Sequence, residues 1–152
     1  MRKIIISLLM TLVCACGFAQ SQDVRVDDML YKHLSRQQVE TLRANNPKQL
    51  LIENYNMVSF CYLAMKMTEE EGTYQMKGEL KDVVRKGKTC DYALILRDGC
   101  INRYDFNLEQ DPYKQNVYTL GDTGAYIVVL SKQKFDNNLN AALREYGFDI
   151  KK

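Results

Sequence analysis

The chain has no tryptophan, a single histidine and only two prolines, and each shortage excludes something. With His33 the sole imidazole, no cluster of histidine, cysteine and carboxylate has zinc-site spacing. A Ser-His-Asp or Cys-His arrangement would have to recruit that same residue, and nothing marks a nucleophile beside it. A structural histidine, exposed or half-buried, is the expectation. No Cys-x-x-Cys pair is present, so there is no redox-motif signal. Proline scarcity, with no Gly/Ser-rich linker, internal repeat or low-complexity tract, favours one compact unit over two. Beyond the first twenty residues no apolar run is long enough to cross a bilayer, so no transmembrane helix is expected in the mature chain.

An excess of charge is also missing. Of the 21 basic residues, Arg2 and Lys3 lie at the extreme N-terminus, and the remainder balance the 19 acidic residues, all of which follow Ala19. The densest basic stretch, Lys81 to Lys88, is interrupted by Asp82 and offset by Glu69, Glu70 and Glu71. A surface that grips phosphates needs a basic excess, so nucleic acid and anionic lipid are not expected partners.

What is present begins with MRKIIISLLMTLVCACGFAQ. Arg2 and Lys3 make a positive n-region, Ile4 to Val13 an apolar h-region, and Gly17-Phe18-Ala19 a small-x-small cleavage site, the pattern of a secretory signal over residues 1–19. Its Phe-Ala-Gln ending resembles leaders of exported bacterial proteins. A competing site, Val13-Cys14-Ala15-Cys16, is similar to a lipobox and would leave Cys16 lipidated as the mature N-terminus. The expected location is periplasmic or secreted, with lipid anchoring in the envelope as the alternative. Residues 20–152 are then a single domain, long enough to bury roughly two thirds of its unfolded-chain surface.

Along that domain, Asp27 to Leu34 can form a short helix. Ser35-Arg36-Gln37-Gln38 has the form of a capping box and predicts a helix from Arg36 to about Ala44. Asn46 and Pro47 suit the N-cap and first position of another, running to about Asn56 with Leu51 and Tyr55 inward. Met57 to Met67 fits both helical spacing and the β-branched and aromatic content of a strand, and the strand is favoured. Thr68 to Gly72 reads as an acidic turn, Thr73 to Lys77 as a returning strand, and Glu79 to Arg85 as a short helix closed by Gly87.

Two hairpins are expected next. Asp91 to Leu108 flanks the turn signal Asp98-Gly99 with alternating runs. A three-residue loop, Asp98-Gly99-Cys100, would gather Tyr92, Leu94, Leu96, Tyr104 and Phe106 on one face, although turn chemistry prefers glycine at the end of such a loop. Asn116 to Leu130 repeats the theme around Gly121 to Gly124, with Tyr126 to Leu130 apolar throughout like a central strand. Ser131 caps a last helix with the stripe Phe135, Leu139, Ala142, Leu143 and Tyr146, stopped by Gly147. The class is α+β: N-terminal helices, an antiparallel sheet built from consecutive hairpins, and a C-terminal helix packed on the sheet.

Candidate chemistry is sparse. Asp122-Thr123-Gly124-Ala125 resembles the DTGA signature of aspartic proteases, but the resemblance covers four residues and has no second copy; a β-turn explains them all. The Gly-x-x-Gly spacing is likewise similar to RNA-binding KH loops, against which the acidic insert argues. Glu69 to Glu71 with Asp105 could supply paired carboxylates for glycoside hydrolysis, or simply a charged turn and a strand's outer face. Cys61, Cys90 and Cys100 survive leader removal; Cys90 and Cys100 sit too far apart on an extended arm to bridge, so any disulfide uses Cys61 with Cys90 or Cys100. Tyr92, Tyr104 and Tyr118 suggest a tyrosine-rich binding face, against the plainer reading that tyrosine favours sheets.

The functional expectation is a small exported module of binding, inhibitory or envelope-accessory type, with a protein or glycan partner and no cofactor. An exported hydrolase using carboxylates without a recognisable motif is the alternative.

Overall fold

Capping chemistry sets the helical elements. The computed structural model describes residues 23–67 and 73–150, so the expected leader, Cys16 and the expected acidic turn with Glu69, Glu70 and Glu71 lie outside the described residues. A 3₁₀ turn, Asp28–Lys32, starts where Asp27 accepts the Met29 N–H at 2.9 Å. Helix α1 (Arg36–Asn45) opens on the expected box: Ser35 Oγ accepts from Gln38 N, and Gln38 Oε1 accepts from Ser35 N at 2.8 Å. Asn46 then caps α2 (Pro47–Val58), with proline in the first turn, where its missing N–H costs nothing.

The ambiguous stretch 57–67 divides. Met57 and Val58 finish α2, and only Cys61–Ala64 becomes strand β1. Strand β2 (Tyr74–Glu79) follows, then a 3₁₀ turn at Leu80–Val83.

The Asp91–Leu108 hairpin does not exist. Tyr92–Asp98 is helix α3, with Asp91 Oδ1 accepting the Leu94 N–H at 3.1 Å and Gly99 closing the helix in the left-handed region at φ 70°. Asp91 and Gly99 are therefore a helix N-cap and C-cap, not hairpin chemistry. Ile95 is buried with Tyr92 and Leu96 half-buried beside it, helical spacing, while Leu94 stays 44% exposed as no alternating arm would leave it. Residues after Cys100 run irregularly through a 3₁₀ turn at Arg103–Asp105, with one bridge from Phe106 to Val84.

The second hairpin is as expected. Strands β3 (Gln115–Thr119) and β4 (Tyr126–Val129) pair antiparallel with Val117 opposite Val128. Residues 121–124 form the turn: the Thr123 hydroxyl donates to Leu120 O at 2.7 Å and accepts from Ala125 N at 3.2 Å. Gly121 lies under the Tyr92 ring, where a Cβ would meet the ring at 3.1 Å.

Strand order is β1-β4-β3-β2. β4 is central and buried on both faces, Ile127, Val128 and Val129 having no exposure. β1 joins it antiparallel, but β2 pairs parallel with β3, so the sheet is mixed rather than antiparallel. The reason is the helix just described. Parallel neighbours need a crossover rather than a tight turn, and residues 80–114, with α3 inside, are that crossover.

Helix α4 (Lys132–Glu145) is capped by Ser131, whose Oγ accepts from Lys134 N. Phe135 packs in the main core with Phe60, Leu80, Ile95, Ile101, Phe106, Tyr118 and Ile127, on one face of the sheet. Leu143 belongs to a second cluster with Val24, Leu30, Val39, Leu50, Leu51 and Met57, and Leu139 touches both. Helices laid on a four-stranded sheet make the class α+β, as expected. No helix among the described residues is long and apolar enough to cross a membrane.

Candidate functional site

Five separate segments meet at one cavity of about 260 Å³. The 3₁₀ turn supplies Met29, held there because Asp27 caps it and donates its own N–H to Asn54 Oδ1 at 2.8 Å. The end of α2 supplies Met57 and Val58. Cys61, Tyr62 and Leu63 come from β1, Gly99 to Ile101 from the exit of α3, and Ile127 from β4. Met57 and Cys61 are buried, whereas Cys100 is exposed and Met29 half-buried, so sulfur lines both depth and mouth. Cys100 Sγ and Met29 Sδ are 3.9 Å apart.

Burial pushes the Cys61 thiol up to about 12, with the Arg103 guanidinium pulling the other way and Cys100 adding slightly to the rise. Arg103 is itself fixed by lying 3.4 Å over the Phe60 ring. A buried neutral thiol beside thioethers and aliphatic groups presents soft, polarisable atoms rather than an acid or base. Among the described residues Asp27 is the one carboxylate at this cavity.

A second cavity of about 180 Å³ shares Met29, Cys100 and Ile101 and carries Asp91, Asp98 and Asp105. All three carboxylates are already engaged: Asp91 caps α3, Asp98 accepts from Arg97 Nε at 2.9 Å, and Asp105 pairs with Lys88 at 3.1 Å. A wider depression of about 410 Å³ along α1 is lined, among the described residues, by that helix and Leu34.

The expected site residues are scattered. Tyr118 is buried in the core, its hydroxyl accepting from Glu109 N at 3.1 Å. Tyr92 donates to Glu79 Oε1 at 2.9 Å from α3, and Tyr104 stacks on His33 with ring centres 3.8 Å apart. The three sit in different packing environments and make no common face, because two of the expected strands are not strands. Sheet register instead puts Tyr74, Met76, Tyr62 and Tyr126 on the sheet face opposite the main core, with Ala64, Val117 and Val128 buried among them. Asp122 sits in the exposed turn and His33 against Tyr104, well separated roles with no shared cavity. Cys61, Cys90 and Cys100 are all free thiols, so neither expected bridge is formed; Cys100 shares the cavity with Cys61 and Cys90 does not line it. Among the described residues no three histidine, cysteine or acidic side chains converge as a metal group.

Met29 and Met57 escaped sequence reasoning. Met57 lies only four residues before Cys61, but Met29 and Cys100 are far from both in sequence, and only the packing of the 3₁₀ turn and the exit of α3 against β1 brings the four to one cavity. Compared with protein-family models, with curated proteins and with solved structures, the chain matches none.

Proposed function

We propose that the chain is an exported, non-catalytic binding module that takes its ligand in the cavity between the Asp28–Lys32 turn, β1 and the exit of α3. The observation behind this is the convergence of Met29, Met57, Cys61 and Cys100, with Ile101 and Ile127, on one concave site. The export half of the proposal rests on the N-terminal leader, and intact-mass measurement of the mature protein tests it, distinguishing cleavage after Ala19 from lipidation at Cys16.

The binding half is tested by methyl NMR of the methionines. A small ligand seated in the cavity shifts the Met29 and Met57 methyl resonances together and leaves Met65 and Met76 in place. A protein or glycan partner on the outer sheet face, where Tyr74 is 43% and Met76 51% exposed, gives the opposite pattern. If neither small apolar fragments, nor glycans, nor soft metal ions move either pair, the binding reading fails. Turnover of a hydrolase substrate lost in Asp105→Asn would put the carboxylate alternative in its place.

A further inference from the structure

We infer that the cavity is a site for a soft monovalent metal ion, Cu(I), held by the sulfur atoms of Cys61, Cys100, Met29 and Met57. This deepens the cavity reading above and rests on it.

Thiolates and thioethers together are soft ligands, the donor set that selects Cu(I) over the harder divalent ions. Zinc would call on thiolate, imidazole or carboxylate in a tetrahedron. Here the single described histidine is stacked on Tyr104 and does not line the cavity. The spacing of the pair at the mouth also fits. Two sulfurs bound at about 2.3 Å to one metal in a trigonal plane stand about 4 Å apart, and Cys100 Sγ and Met29 Sδ stand 3.9 Å apart.

Charge points the same way. Each coordinating thiol gives its proton to solvent and no electron moves, so Cu(I) with two thiolates carries one net negative charge. The Arg103 guanidinium, packed over the ring of Phe60 next to Cys61 in the chain, is a cation on hand to offset that charge. Met57 and Cys61 at depth exclude water, and Cys100 and Met29 at the mouth give the ion an entry path.

The test is an anaerobic titration of the reduced protein with Cu(I) in competition with bicinchoninate. One equivalent is expected to bind, releasing a proton per coordinating thiol and shifting the Met29 and Met57 methyl resonances together. Loss of outer-shell support alone weakens metal sites by about 10- to 100-fold, so Cys100→Ser and Met29→Leu, both at the mouth and sparing the core, should each weaken binding by more than about tenfold. Cys90→Ser should bind as the parent does. Equal affinity in all these proteins, no uptake by the reduced parent, or a Cys61–Cys100 disulfide in protein taken from its native envelope would each overturn the assignment. Failure with Cu(I) while small apolar fragments still move Met29 and Met57 would overturn the metal and leave the binding module standing.

Discussion

Cys61 and Tyr92 both resist ionisation in the folded chain, first because each is withdrawn from water. Cys61 rises from its ordinary 9.0 to about 12. Tyr92 rises from 10.0 to about 12, helped by the hydrogen bond it donates to Glu79. A raised folded-state value means that the folded chain holds protons the unfolded chain has already lost, so stability is complete below pH 9 and declines as pH climbs towards 12. The decline attributable to Cys61 is at most about 4 kcal/mol. Urea unfolding at a series of pH values should show this falling alkaline limb, and Cys61→Ala and Tyr92→Phe should each flatten it. A limb unchanged in both variants would mean that other groups dominate. On the acid side the sign reverses for Glu79, held below its ordinary value by Lys81 and Tyr92: its contribution is present above the carboxylate range and lost as pH falls through it. Single residues of this kind are not legible in a sequence, because burial is a property of the assembled fold.

At the scale of elements, the legible parts were those that carry their own boundary chemistry. Ser35 with Gln38, Asn46 with Pro47, and Ser131 with the Phe135–Leu139–Leu143 stripe each marked a helix, and each helix is present. Tyr126 to Leu130 announced a central strand through unbroken apolar character, and β4 is that strand. Tyr92 to Asp98 misled because seven residues suit period 2 nearly as well as period 3.6, and Asp-Gly serves both a hairpin and a helix end. The distinction is measurable. Asp91→Ala removes an N-cap and should cost about 1 kcal/mol, whereas before a hairpin arm it would cost almost nothing. Gly99→Ala, forced to φ 70°, should cost about 1 kcal/mol more. Chemical denaturation of the two variants reads both numbers, and two near-zero results would restore the strand.

The molecule as a whole is held by a sheet covered by helices on its main face, with α4 bridging two cores. Phe135 lies near Phe60 and Tyr55, with ring centres 6.0 and 5.4 Å away, so Phe135→Ala should destabilise by about 3–5 kcal/mol and lower the melting temperature accordingly. A loss under about 1 kcal/mol would contradict the packing of α4 on the sheet. The sequence disclosed the class and the C-terminal layer, but not the parallel β2–β3 pair, because strand partnership is settled by the crossover rather than by either strand. For the same reason the sulfur-lined cavity was invisible: Met29 and Cys100 reach Met57 and Cys61 only once the 3₁₀ turn and the exit of α3 have packed against β1.

The second cluster joins the first described residues to the last. Val24 and Leu30 share it with Leu143, and Phe148 and Ile150 pack on its edge, while Lys48 donates to Asp149 O at 2.6 Å. The leading helical layer therefore cannot lock until residues 143–150 are in place. Removing everything beyond Ala142 should leave the N-terminal helices protease-sensitive at temperatures where the intact chain resists cleavage, and equal resistance would show that the first layer closes unaided.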